Sequence, residues 1–199
     1  MARKRYRRSS VEFTFRPGRQ KWNRKKILRS VLNWSVIVLV AAILGYSVVT
    51  FGYQTVEVVG PSMNGTLEDG ETVLVNKLVY RFKDVERFDV IAYSKVEDDS
   101  YYDIKRVIAL PGETVQIKDG RIYIDGSELQ VDKISGSIIT AGIAQDEIKL
   151  GKDQYFVLGD NINNSEDSRY VNVGNVSGQE ILGKVTKIIS PKNKKGKVK

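Results

Sequence analysis

The 199-residue chain contains no cysteine and no histidine. The first absence removes disulfide frameworks, thiol nucleophiles and thiolate metal ligands. With histidine also missing, zinc sites of the usual ligand types and a Ser-His-Asp triad are excluded. A cysteine-free chain fits an extracytoplasmic protein that uses no disulfides. Acidic residues are scarce at one end. Residues 1–30 hold twelve Lys and Arg against Glu12 alone, a net +11, whereas the rest of the chain carries twenty against twenty-three, or −3. The formal charge of +8 therefore belongs to the tail, and no nucleic-acid partner is expected of the folded body. No metal or organic cofactor is expected either.

Formal charge is absent altogether between Arg29 and Glu57. The stretch VLNWSVIVLVAAILGYSVVTFGY, residues 31–53, is long enough to cross a bilayer, since about 20 apolar helical residues span roughly 30 Å. Trp34 lies near one end, and Phe51 and Tyr53 lie near the other, where interfacial aromatics are favoured. A cleaved secretory signal would have a shorter apolar region, ending at a small-x-small site followed by polar chain. Here Gly45-Tyr46-Ser47 is followed by the still apolar VVTFGY. The stretch therefore predicts an uncleaved anchor in the cell membrane. The Lys/Arg excess before it puts residues 1–30 in the cytoplasm, touching anionic lipid, and the chain from about 54 onward outside.

Beyond residue 54 the pattern changes to short runs rich in Val, Ile, Tyr and Phe, broken by turn residues, with no long helical period. Asp119-Gly120 and Asp125-Gly126 mark turns at both ends of RIYI. The expected fold is mainly β, a domain of many short strands over residues 54–190, open or barrel-like, behind one transmembrane helix. Residues 130–150 read as an excursion from the sheet, and 191–199 as a basic disordered tail.

GPSMNGTL, residues 60–67, presents Ser62 in a glycine and proline setting suited to exposing one side chain. Without histidine, its base must be a carboxylate, which is normally too weak, or a lysine made neutral by desolvation. Such a lysine belongs on an apolar strand. YDIKRVIALPGE, residues 102–113, supplies Lys105, with Val107 and Ala109 on its face and Ile104, Arg106 and Ile108 on the other. Lys77 is the next contender. A lysine on a strand is more often an edge or surface residue, so the pattern alone leaves the base open.

GPSMNGTLEDGE, VERFDVIAY, YDIKRVIALPGE and VLGDNINNSEDSR, in that order behind an N-terminal anchor, resemble the bacterial type I signal peptidases. These are membrane-bound serine proteases that cut signal peptides from exported preproteins with a Ser/Lys dyad. The resemblance covers roughly residues 31–190. It implies Ser62 as nucleophile, Lys105 as general base, and cleavage after small-x-small sites through an acyl-enzyme. It further implies that Ser165 holds the lysine amine, and that Arg106, Asp160, Asp167 and Arg169 brace the site. Three positions depart from the family pattern. Ile162 stands where an arginine is common, and Gly65 where a proline is common. Gly60 replaces a hydroxyl residue that in some members donates to the oxyanion, which leaves backbone N–H groups for that task. Two other readings stay open. A self-cleaving Ser/Lys repressor-type protease should carry a DNA-binding domain in place of an anchor. A catalytically silent, anchored chaperone should lack the dyad.

Overall fold

The computed structural model describes residues 23–94, 101–134, 136–191 and 196–198. Most of the basic tail, residues 1–22, therefore lies outside the described residues. Helix α1, Arg24–Gly52, is apolar around its whole circumference beyond Arg29, and its best window has a mean hydropathy of 2.2. An all-round apolar surface suits lipid rather than a one-sided core contact. Twenty-nine residues reach about 43 Å. The Ser35 hydroxyl donates to the carbonyl of Val31 at 2.8 Å, so this polar group is satisfied within the helix. Among the described residues α1 is the one helix long and apolar enough to cross a membrane. It ends one residue earlier than the sequence suggests, because Tyr53 already belongs to a strand. Gly52 packs closely under Leu78 at that exit. A Cβ there would come within 2.7 Å of Leu78 Cδ1.

The rest is β structure with short 3₁₀ turns. The main sheet is antiparallel and contains β1 (Tyr53–Glu57), β2 (Thr72–Asn76), β3 (Val90–Tyr93) and β4 (Asp103–Ala109). The smaller sheet interrupts it in sequence with β5 (Thr114–Lys118), β6 (Arg121–Ile124), β7 (Ser127–Leu129) and β8 (Ile148–Lys149). The chain then returns to the main sheet with β9 (Gln154–Leu158), β10 (Val176–Ser177), β11 (Ile181–Ser190) and β12 (Gly196–Lys197). The strand order is β1-β2-β11-β3-β4-β9-β10 with β12 on β11, and β7-β6-β5-β8 in the smaller sheet. Both Asp-Gly pairs form the two-residue turns of adjacent hairpins, with φ of 51° and 73° at Asp119 and Gly120 and 48° and 79° at Asp125 and Gly126. Positive φ at both central residues matches the right-handed strand twist, and Asp and Gly tolerate it. Residues 130–150 leave the strands as expected, and the chain rejoins the smaller sheet at β8. The far tail differs from expectation. Gly196–Lys197 pair with β11, and the Val198 N–H donates to the carbonyl of Thr186 at 3.0 Å.

Strand β4 is buried from Ile104 through Ala109, as its two apolar faces require. Ile104 packs with Val56, Met63 and Leu67 beneath the Ser62 loop, and Val107 packs with Ile91 and Tyr93 on the other side. Alternation fails beyond Val107. A register shift against β9 pairs Val107 with Val157 but Ala109 with Phe156, and Ile108 and Ala109 enter one core cluster together. The inserted residue is a β-bulge, which simple alternation cannot foresee.

Candidate active site

The Ser62 loop follows directly from the end of β1. The N–H of Val58 donates to the carbonyl of Glu71 and that of Gly70 to the carbonyl of Val58, so the chain leaves the sheet only at Val59. Gly60 has φ 82°, a region that side chains other than glycine's enter with strain. This explains the missing hydroxyl residue at that position. The backbone turns where a Cβ would be strained, and the Gly60 N–H is held by Asp69 Oδ1 at 2.6 Å. Gly65, with φ 100°, likewise adopts a backbone closed to proline. After Ser62, Met63 and Leu67 are completely buried in the core.

Lys105 comes from β4, where Ile91 of β3 is its cross-strand partner. Its side chain is 4% exposed, and Nζ lies 3.1 Å from Ser62 Oγ. The nearest counter-charge is Asp103 on the same strand face, with Oδ1 at 3.6 Å and a side chain 39% exposed. Lys77 bonds instead to Gln54 at 3.3 Å, so it is not the lysine brought to the serine. Ser62 and Lys105 line one small cleft with Val58, Met63, Tyr101 and Ile104. Burial, followed by Asp103 and Glu166, pushes the Tyr101 hydroxyl above its ordinary range and keeps it neutral at the cleft wall.

Two buried ion pairs brace the neighbouring segments. Arg106 donates from Nε and Nη2 to the two oxygens of Asp160, each at 2.7 Å, and from Nη1 to the carbonyl of Phe88 at 2.8 Å. Thr66 Oγ1 donates to Asp160 at 2.5 Å and accepts from Arg106 at 3.3 Å, which ties the pair to the serine loop. Arg169 grips Asp167 through Nε at 2.7 Å and Nη2 at 2.9 Å. Its remaining donors reach the carbonyls of Thr140, Ile162 and Ser165. Fork-shaped guanidinium contacts of this kind hold several chain segments in one geometry. Ile162 does not weaken the arrangement. Its side chain is buried in the core, and its carbonyl accepts from Arg169 at 2.5 Å.

Ser165 is buried near the dyad, yet its Oγ has no hydrogen-bond partner among the described residues, so the expected bond to the Lys105 amine is not made here. Gly159 explains how close it comes. A Cβ on Gly159 would collide with both Ser165 Oγ and the carbonyl of Ser62, so the glycine is what lets these two segments approach. Four residues absent from the sequence-based assignment therefore shape the site: Thr66, Asp69, Gly159 and Asn161. Asn161 donates its backbone N–H to the Ser62 carbonyl and its side-chain amide to the Pro61 carbonyl, each at 3.0 Å. The Gly-Asp-Asn run holds Gly159 and Asn161, but their partners, like that of Thr66, lie about 100 residues away, whereas Asp69 acts on Gly60 nine residues earlier.

The family model described as signal peptidase, peptidase S26, matches residues 31–190. Signal peptidase I P of Bacillus subtilis subsp. natto is 36% identical over 147 residues, 70% of this chain and 78% of the relative. Signal peptidase I T of Bacillus subtilis strain 168 is 33% identical over 176 residues, 85% of this chain and 90% of the relative. Signal peptidase I V of the same strain is 34% identical over 164 residues, 77% and 95%. Among solved structures, a signal peptidase I from Enterococcus faecalis V583 is 33% identical with a TM-score of 0.43, covering 52% of this chain and 98% of its own. Matched by the family model over residues 31–190, and about one-third identical to these relatives over most of its length, the chain is a serine endopeptidase belonging to the signal peptidase family, peptidase S26.

Proposed function

We propose that this chain is a signal peptidase I that removes signal peptides from exported preproteins with Ser62 as nucleophile and Lys105 as general base. The observation that carries the reading is the 3.1 Å approach of a buried lysine amine to the serine oxygen in a chain without histidine. The neutral amine takes the Ser62 proton as Oγ attacks the scissile carbonyl. The oxyanion meets the Ser62 N–H, which has no other partner among the described residues. Collapse expels the new amino terminus of the mature protein, protonated from Lys105, and leaves an acyl-enzyme. Water, deprotonated by Lys105, then attacks the ester carbonyl; the bond to Oγ breaks, Lys105 returns the proton to Ser62, and the signal peptide leaves with a new carboxyl end that ionises in solvent. The hydroxyl of Ser165, buried and unpartnered, is available to hold the amine through these transfers.

The substrate enters as an extended strand. Strand alternation turns the N–H and C=O of Ile104 away from β3, and β9 pairs with β4 only from Arg106 onward. That free edge and the Val58–Gly60 segment flank the cleft, and addition of a peptide strand there gives backbone recognition, while the small cleft favours small side chains. Helix α1 anchors the chain as a single-pass membrane protein, with residues 1–30 cytoplasmic, 31–53 in the bilayer and 54–190 outside. The basic tail contacts anionic lipid. Tethering holds the cleft where cleavage sites emerge and raises the local substrate concentration.

The test is cleavage of a purified preprotein bearing an Ala-x-Ala site by detergent-solubilised wild type, Ser62→Ala and Lys105→Met. Product from wild type alone supports the dyad. Cleavage by either variant at the wild-type rate overturns it, and preprotein binding without cleavage by all three favours a chaperone.

A further inference from the structure

Asn161 is half-buried at the start of the loop after β9, next to Asp160. Its backbone N–H and its side-chain amide reach two successive carbonyls, those of Ser62 and Pro61. Those carbonyls belong to the two peptide units that flank the nucleophile. In a planar trans peptide the C=O and N–H point in opposite directions. Fixing the Pro61 carbonyl therefore fixes the direction of the Ser62 N–H, and fixing the Ser62 carbonyl fixes that of the Met63 N–H. The Pro61 carbonyl also accepts from the Asn64 N–H at 3.0 Å, a local turn bond that sets curvature but cannot anchor the loop to the rest of the domain. Asn161 supplies that anchor. Gly60, two residues before the nucleophile, is held only at its own N–H by Asp69 and carries no side chain to assist.

We propose that Asn161 is the positioning residue that aims the Ser62 N–H at the developing oxyanion, compensating for the absent hydroxyl at Gly60. This rests on the Ser62/Lys105 reading above. The side-chain bond is the separable part, because a substitution at Asn161 leaves the backbone bond to Ser62 in place. A donor aimed away from the oxyanion forfeits stabilisation that exists in the transition state and not in the ground state. The expected signature is a fall in kcat of about 10- to 100-fold with KM within twofold, since removal of one oxyanion donor outright costs about 10²–10³.

The experiment uses the full chain in detergent and compares wild type, Asn161→Ala, Asn161→Asp and Ser62→Ala. Each is assayed for kcat and KM on an Ala-x-Ala peptide and for Tm. Each is also assayed for affinity toward the corresponding peptide aldehyde and toward the cleaved product peptide. The aldehyde adds Ser62 Oγ across its carbonyl. The oxygen–carbon bond forms, the carbonyl π bond opens and the serine proton passes to the new hemiacetal oxygen, which occupies the oxyanion position. Asn161→Asp keeps the shape and replaces the donor by an acceptor facing the Pro61 carbonyl, so it carries the test if the alanine variant folds poorly. The inference predicts that both variants lose aldehyde affinity by the same factor as kcat/KM while product binding and Tm stay near wild type. Wild-type kcat in both variants, or a parallel loss of product binding, aldehyde binding and Tm, overturns it. A wild type that neither cleaves the peptide nor differs from Ser62→Ala toward the aldehyde overturns the underlying dyad instead.

Discussion

Replacing Arg106 by methionine keeps most of the side-chain length and removes its charge, which isolates what the guanidinium does for Asp160. Both partners are nearly inaccessible, with side chains 2% and 1% exposed, and Asp160 accepts two bonds from Arg106 and one from Thr66. After the substitution a buried carboxylate keeps only the threonine hydroxyl. Breaking one side of such a pair costs about 3–5 kcal/mol, because the remaining charge has neither water nor counter-ion. For a domain of this size, at about 2–4 °C per kcal/mol, Tm falls by roughly 6–20 °C. The double variant Arg106→Met, Asp160→Asn removes both charges while preserving an acceptor for Thr66, so it recovers at least half of the loss. The assay is thermal unfolding followed by near-UV circular dichroism in one detergent, with peptide cleavage measured in parallel. Thr66 links this pair to the serine loop, so cleavage falls with stability in the single variant and returns in part in the double. A single-variant loss under about 1 kcal/mol, or a double variant no better than the sum of the two singles, refutes the argument from an uncompensated charge.

Gly159→Ala drives a methyl group into Ser165 Oγ and the Ser62 carbonyl, so kcat falls by about 10- to 100-fold, and activity within twofold of wild type would contradict the close approach. The Tyr93 hydroxyl is buried without a hydrogen-bond partner among the described residues, so Tyr93→Phe stabilises by about 1 kcal/mol in denaturant titration, and a clear loss would reveal an unseen partner. Burial first, with Asp103 adding to it at Tyr93 and Asp89 at Tyr80, holds both hydroxyls above their ordinary value of 10.0. Below that value neither state ionises and stability does not depend on them; as pH rises beyond it stability declines, because the unfolded tyrosines ionise first. Tyr93→Phe should therefore flatten the decline in stability measured above pH 10.

The parts of this molecule legible in the sequence are those set by local chemistry. The absence of charge from residue 30 to 56 is enough to define a spanning helix, two Asp-Gly pairs are enough to define hairpin turns, and a strand apolar on both faces is enough to bury Lys105. Elimination narrowed the base proposed for Ser62 to a carboxylate or a lysine, and only the family resemblance pointed to Lys105 among the lysines. What stayed hidden depends on partners distant in sequence. Asn161 and Gly159 act on a carbonyl about 100 positions earlier, and Thr66 acts on a carboxylate 94 positions later. No spacing rule announces such contacts, because the residues meet only after β9 has been laid beside β4.

The same contrast separates the two ion pairs. Asp167 and Arg169 are two residues apart, and their pairing shapes one loop. Asp160 and Arg106 are 54 apart, and their pairing ties the end of β9 to β4 one residue from Lys105. With Asn161 reaching Pro61 from the next residue along, one short run, Gly159-Asp160-Asn161, fixes the strand that carries Lys105 and the Ser62 loop at once. Each residue type in that run is required for a different reason: a missing Cβ, a paired charge and an amide donor. Substitutions there should consequently differ in kind. Loss of Asp160 shows mainly in stability, because a buried charge is left alone, and loss of the Asn161 amide shows mainly in kcat, because only the aim of a donor changes.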